Sequence, residues 1–181
     1  MLPSYTDVLR FWFNEITPAQ WWRVDSAFDA LIADRFSSLH CAALQAELFS
    51  WRSEARGRLA EIIVLDQFSR NMHRGTPAAF AADPLALVLA QEAVAACADL
   101  ELPEDERFFL YMPYMHSESQ RIHAVAERLF GERAPAGNYE FELKHKAIID
   151  RFGRYPHRNA ILGRESTADE LEFLKQPGSS F

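Results

Sequence analysis

Residues Arg58–Met72 read RLAEIIVLDQFSRNM. At about 100° per residue, Leu59, Ile62 and Ile63 define one face of a helix, and Asp66 and Arg70 fall on the same line. Val64, Leu65, Phe68 and Met72 make the opposite face apolar too, which predicts a helix surrounded by protein on both sides. Asp66 and Arg70 stand at i and i+4, the favourable order for an ion pair along a helix. They read either as a structural pair tying a central helix to its neighbours or as a polar pocket cut into the core, and burial of charge is costly in both cases.

Outward from this stretch the chain carries helix signals and no alternating strand pattern. Ser4 with Asp7 forms a capping-box start, and Thr17-Pro18 and Asp83-Pro84 each place a cap residue before a proline at the first helical position. Ser166 and Thr167, followed by Asp169 and Glu170, open a last short helix that stops before Pro177-Gly178. Ile122, Val125, Ala126, Leu129 and Phe130 give a further helical stripe. Breakers at Gly57, Gly75, Pro103, Gly131 to Gly137, Gly153 and Gly163 divide the chain into about eight or nine helices. The expected fold is therefore all-α, one domain over residues 1–181, built of antiparallel helix hairpins as a bundle or a tetratricopeptide-like right-handed array. No clean repeat appears at the period of about 34 residues.

Composition narrows the function classes. With 181 residues, 49% of them hydrophobic, the chain is long enough to bury a sizeable single core. A net charge of -7 repels a phosphate backbone, so nucleic acid is not an expected partner. Runs such as Ile62 to Leu65 and Leu85 to Ala90 fall well short of the roughly 20 residues that cross a bilayer, and no membrane span is expected. The N-terminus MLPSYTDVLRFWF reads as a helix of the mature fold, which points to the cytoplasm. Cys41 and Cys97 lie in separate helical patterns and are expected as buried free thiols.

Several polar residues interrupt apolar stripes. Glu92 falls on the stripe of Leu85, Val88, Leu89 and Ala96 and there requires a cationic partner, with Arg70 or Arg74 the candidates. Pro113, inside an aromatic run, predicts a kink or helix break just before His116, Ser117 and Glu118. An H-x-E pair on a regular helix points its two side chains about 200° apart, poor geometry for one metal; neither a metal nor another cofactor is expected. His145 belongs to the stripe of Phe141, Ile148 and Phe152 and reads as a core histidine.

Arg151–Arg164, RFGRYPHRNAILGR, holds four arginines, one histidine and no acid in an otherwise acidic chain. Pro156 can start a helix whose first turn would contain His157, Arg158 and Asn159, with free backbone N–H groups that favour negative charge. The arginines could bind an anion, or serve Asp66, Glu92 and Glu118 as internal partners.

The stretches IVLDQFSRNMHRGTPAAFAADPLAL (63–87), FLYMPYMHSE (109–118) and HKAIIDRFGRYPHRNAILGRESTADELEFLKQPGSSF (145–181), together with VLRFWF, Asp25 to Phe36 and Leu39-His40, resemble the bacterial family catalogued as domain of unknown function 924. The resemblance covers nearly the whole chain, with DQFSRN and YPHRN its most specific pair. It implies an all-α, tetratricopeptide-like fold and carries no activity with it. Where the family often continues after His-Ser-Glu with an acidic residue, Leu and a downstream Gln, this chain has Ser119-Gln120-Arg121-Ile122.

Two functional readings follow, beside a purely structural one. The first is binding, with or without turnover, of a small anionic molecule in an interior polar groove, for which Asp66, Arg70, Arg74, His116, Glu118, Arg154, His157, Arg158 and Asn159 are the candidate contacts. His116 and His157 would then be the candidate acid or base, since both can titrate near neutral pH. The second is a helical-repeat module binding a peptide or protein on an open groove with exposed aromatics.

Overall fold

The computed structural model describes residues 2–180, and 72% of the chain lies in helical segments, 3-10 and π turns included. Among the described residues there are nine helices and no strand. Helix α1 (Tyr5–Arg10) continues through a π turn at Phe11–Glu15, and α2 (Pro18–Trp22) and α3 (Ser26–Leu44) follow. Helix α4 is continuous from Ala55–Ile63 through a π turn at Val64–Phe68 to Ser69–Met72. Then come α5 (Asp83–Ala95), α6 (Glu104–Met115), α7 (Gln120–Arg133), α8 (Ala136–Phe152) and the short α9 (Ala168–Phe173).

Helix α4 is the axis of the molecule, packed against α1, α3, α5 and α6. Leu59, Ala60, Ile62, Ile63, Val64, Leu65 and Phe68 are all fully buried, as two apolar faces require. The helix begins at Ala55, ahead of the break expected at Gly57. Gly57 is instead where α4 meets the preceding turn: a Cβ there would collide with the Trp51 carbonyl. The Ser4 and Thr17 capping boxes form as the sequence predicts, and the last helix takes Thr167, with Glu170, as its cap.

Helices α6, α7 and α8 follow one another in contact, α7 and α8 joined by Ala134-Pro135 alone, the relation of an antiparallel hairpin. Helix α6 runs through Pro113 without the expected break and ends two residues later, at Met115. Helix α8 ends on Gly153, whose φ of 69° turns the chain back into Arg154-Tyr155.

Helix α5 buries a different face from the one assigned to it. The buried side is Ala86, Leu89, Ala90 and Ala93, so Val88 and Glu92 face solvent and Glu92 needs no internal cation. Its leading turn is capped by Ala82, which leaves the Asp83 carboxylate for another use. Cys41 and Cys97 are likewise exposed, because α3 turns Leu39, His40, Ala42 and Ala43 inward and Cys97 lies beyond the end of α5. The stretch Pro77–Ala95 has the length and hydropathy of a membrane-crossing segment, which its separate apolar runs did not suggest. Here it is α5 with its leading turns, packed on α4 and α6.

Candidate functional site

The π turn at Val64–Phe68 sets Asp66 at the centre of α4 with no exposure at all. One carboxylate oxygen faces two partners: the Nδ1 of His116 at 2.7 Å and the Nη1 of Arg70 at 3.1 Å. The other accepts from Gln67 Nε2 at 2.6 Å. Burial alone would raise the Asp66 carboxyl, but Arg70 and then His116 hold it below the ordinary carboxylate range. Asp66 is thus ionised and can only accept, so His116 carries its hydrogen on Nδ1. Burial, and next the charge of Arg70, push the His116 pKa down, which keeps the ring neutral with its lone pair on Nε2.

Both Nη atoms of Arg70 are engaged. It donates to the Asp66 backbone oxygen at 2.9 Å and forms a bidentate pair with Asp83 at 2.9 and 3.0 Å. Asp83 also receives Arg158, but only through a single Nη1 contact of 3.4 Å. Among the described residues that contact is the one polar bond Arg158 makes, although its side chain is only 7% exposed. Its Nε is shielded from solvent and has no partner among the described residues. The guanidinium carbon lies 4.6 Å from the centroid of the Phe80 ring and 4.6 Å from that of the Tyr155 ring. Both contacts stabilise the cation, and its N–H donors lie along the edge of the guanidinium plane.

Beside that edge is a cleft of about 350 Å³ lined by Phe80, Asp83, Pro113, His116, Ser117, Glu118 and Arg158, with Pro77, Ala81, Pro84, Leu87 and Leu162. Glu118 is held in place by Arg164 in a bidentate pair at 2.6 and 2.9 Å and by the Tyr155 backbone N–H at 2.8 Å. Against the upward push of burial, the Arg164 bonds keep its carboxyl below the usual range.

The structure therefore brings together His116, Glu118 and Arg158 on the cleft, with Asp66 and Arg70 one contact behind. The other sequence candidates lie elsewhere. Arg74 pairs with Asp29 at 2.7 and 2.9 Å, and Arg154 pairs with Glu170 at 2.6 and 2.8 Å. Asn159 is buried, accepting from Arg164 and donating to Ser166. His157 rests on the Tyr155 ring and bonds the Ser179 backbone, and burial followed by the Arg158 charge pushes its pKa down to about 4. Of the two candidate acid-base histidines only His116 borders the cleft. A metal-ligating cluster is absent among the described residues.

Sequence reasoning missed Asp83, Phe80 and Tyr155 as site residues, while Arg164, one of the clustered arginines, serves Glu118 as an internal partner. One signal pointed to Asp83: it is the only charged residue between Arg74 and Glu92. Nothing local marks Phe80 or Tyr155, whose role comes from both reaching one guanidinium.

The model of a family described as bacterial protein of unknown function (DUF924) matches residues 8–178. A solved structure of a protein of unknown function from Agrobacterium tumefaciens is similar at a TM-score of 0.90 and 38% identity, with 94% of this chain and 96% of that chain covered. No curated protein matches.

Proposed function

We propose that this chain, which belongs to the bacterial DUF924 family, binds a small molecule through an anionic group placed against Arg158. The observation that carries this reading is the state of Arg158: a buried cation with one 3.4 Å bond for its five N–H donors, bordering a cleft. A carboxylate or phosphate oxygen in the cleft would take up the Nη donors that the 3.4 Å contact leaves open, in a charge-assisted hydrogen bond. The neutral His116, with Asp66 fixing its tautomer, is the group placed to exchange a proton with such a ligand. No side-chain nucleophile accompanies it on the cleft beyond Ser117, whose neighbour His116 uses its Nδ1 for Asp66.

The test is a saturable rise in melting temperature with acetate or inorganic phosphate, abolished in Arg158→Ala while far-UV circular dichroism stays unchanged. A protein whose melting temperature ignores every small anion sinks the reading.

A second reading, a tetratricopeptide-like module for a peptide or protein, rests on a different place. A groove of about 690 Å³ runs along α8 to the C-terminal turn, lined by Phe141, Ile148, Phe152 and Phe173 with Lys144 and Arg151. Phe141 is 54% exposed there. Retention of an acidic amphipathic peptide, lost in Phe141→Ala, would favour this module over the cleft.

A further inference from the structure

The polar end of the cleft offers more than the edge of one arginine. His116 has its Nδ1 bonded to Asp66, and its Nε2 lone pair has no partner among the described residues. Two carboxylates, Asp83 and Glu118, border the same space. Around it Asp66, Asp83 and Glu118 are matched one for one by Arg70, Arg158 and Arg164, so the cluster as a whole is neutral. The remaining wall is apolar, formed by Pro77, Phe80, Pro84, Leu87, Pro113 and Leu162.

These features are hard to satisfy with a simple anion. Phosphate would use Arg158 but would bring one or two further negative charges into a cluster whose acids and arginines already balance. It would also leave the apolar wall wet. A bare apolar carboxylate covers the wall but leaves the Nε2 lone pair without a donor and adds an uncompensated negative charge to a balanced cluster. A ligand that is neutral overall, with a carboxylate and an ammonium side by side and an apolar body, meets all three conditions. The volume of about 350 Å³ lies at the small end of ligand pockets, which suits a molecule of that size.

Resting on the anion-binding reading above, we infer that the cleft binds a free α-amino acid with an apolar side chain. Its carboxylate lies along the Nη edge of Arg158, its ammonium donates to Nε2 of His116 within the field of Asp83 and Glu118, and its side chain packs on the proline and leucine wall. Arg158 is a binding residue in this arrangement. Asp66 is a positioning residue, because it fixes which nitrogen of His116 offers a lone pair.

The experiment compares L-leucine and L-phenylalanine with the two halves of leucine, 4-methylpentanoate and 3-methylbutylamine, and with inorganic phosphate, by calorimetric titration of the full chain. The expected result is that the tighter of the two amino acids binds at least about tenfold better than any of the other three, the worth of one charge-assisted hydrogen bond. Arg158→Gln should remove amino-acid binding. His116→Phe should reduce leucine to the level of 4-methylpentanoate and leave 4-methylpentanoate unchanged, which a general loss of structure would not do. If 4-methylpentanoate or phosphate matches the amino acids in the unmodified protein, the inference is overturned and the anion site stands. If 3-methylbutylamine matches leucine and Arg158→Gln binds leucine undiminished, or if no compound binds saturably, both fall together.

Discussion

Two histidines in this molecule make the same bond and face opposite circumstances. His116 meets Asp66 at 2.7 Å and His123 meets Glu142 at 2.7 Å, both through Nδ1. In the second pair neither side chain has any exposure, and His123 spends its Nε2 on the Ser117 carbonyl at 2.9 Å. Tyr155 closes that pair off, with its hydroxyl donating to the Met115 carbonyl at 2.5 Å and standing 3.3 Å from the same Nε2. In the first pair the second nitrogen borders a cleft. A histidine–carboxyl contact through Nδ1 is thus a rivet between α7 and α8 in one region and part of a cleft wall in the other. The difference lies in what the far nitrogen meets.

Acid should show the largest effect. Burial, with His73 a lesser cause, pushes His40 down to about 4. Burial likewise takes His145 to about 3 and, with Arg158 second, His157 to about 4. The unfolded chain protonates histidine near its ordinary value of about 6.5, and the folded chain does not until far lower. Between these limits the unfolded state binds more protons, so stability is fully present above pH 6.5 and is lost as pH falls toward 4. The slope approaches about 1.4 kcal/mol per pH unit for each such histidine, measurable as urea midpoints across a pH series; a flat profile would show that the sealed region admits protons while folded.

Removing the carboxylate from the open pair comes next. Asp66→Ala leaves His116 without its acceptor and Arg70 with Asp83 as its remaining carboxylate, and should cost about 3 kcal/mol in urea denaturation. Below about 1 kcal/mol, the value of an exposed pair, the central placement of Asp66 in α4 would be wrong.

The sharpest contrast is between the two histidines themselves. His123→Phe leaves Glu142, whose carboxyl burial already pushes up, without a partner and should cost at least about 3 kcal/mol. His116→Phe leaves Asp66 still bonded to Arg70 and Gln67 and should cost about 1–2 kcal/mol. Equal losses would erase the distinction between rivet and open site. The smallest effect belongs to Glu92→Ala and Cys41→Ser, both at exposed positions, which should stay within about 0.5 kcal/mol of the parent.

How much of this was legible in the sequence depends on the range of the interaction concerned. The all-round burial of α4, the Ser4 and Thr17 caps and the partnership of Asp66 with Arg70 are encoded within a turn or two of chain, where helical spacing alone fixes who meets whom. The buried face of α5 was misread because Ala86, Ala90 and Ala93 stand out less than Leu85 and Val88, although small residues are what lets α5 pack close to α4. At Pro113 the local rule gave way to packing: every residue from Phe108 to Met115 is buried, and that burial holds the helix across one lost hydrogen bond.

The sequence by itself determined an all-helical chain, a doubly buried central helix and an arginine-rich segment out of keeping with an acidic protein. Only the tertiary structure decided which arginine was left over. Arg70, Arg74, Arg154, Arg158 and Arg164 all looked alike as cations in need of acids. Asp83 lies 13 residues from Arg70 and 75 from Arg158 and pairs fully with the first and barely with the second. Charge pairing across such distances depends on where separate helices come to rest against each other, and helix packing is set by apolar side chains that carry no information about charge. The cleft beside Arg158 is a product of that packing, which is why its chemistry could be read only once the helices were in place.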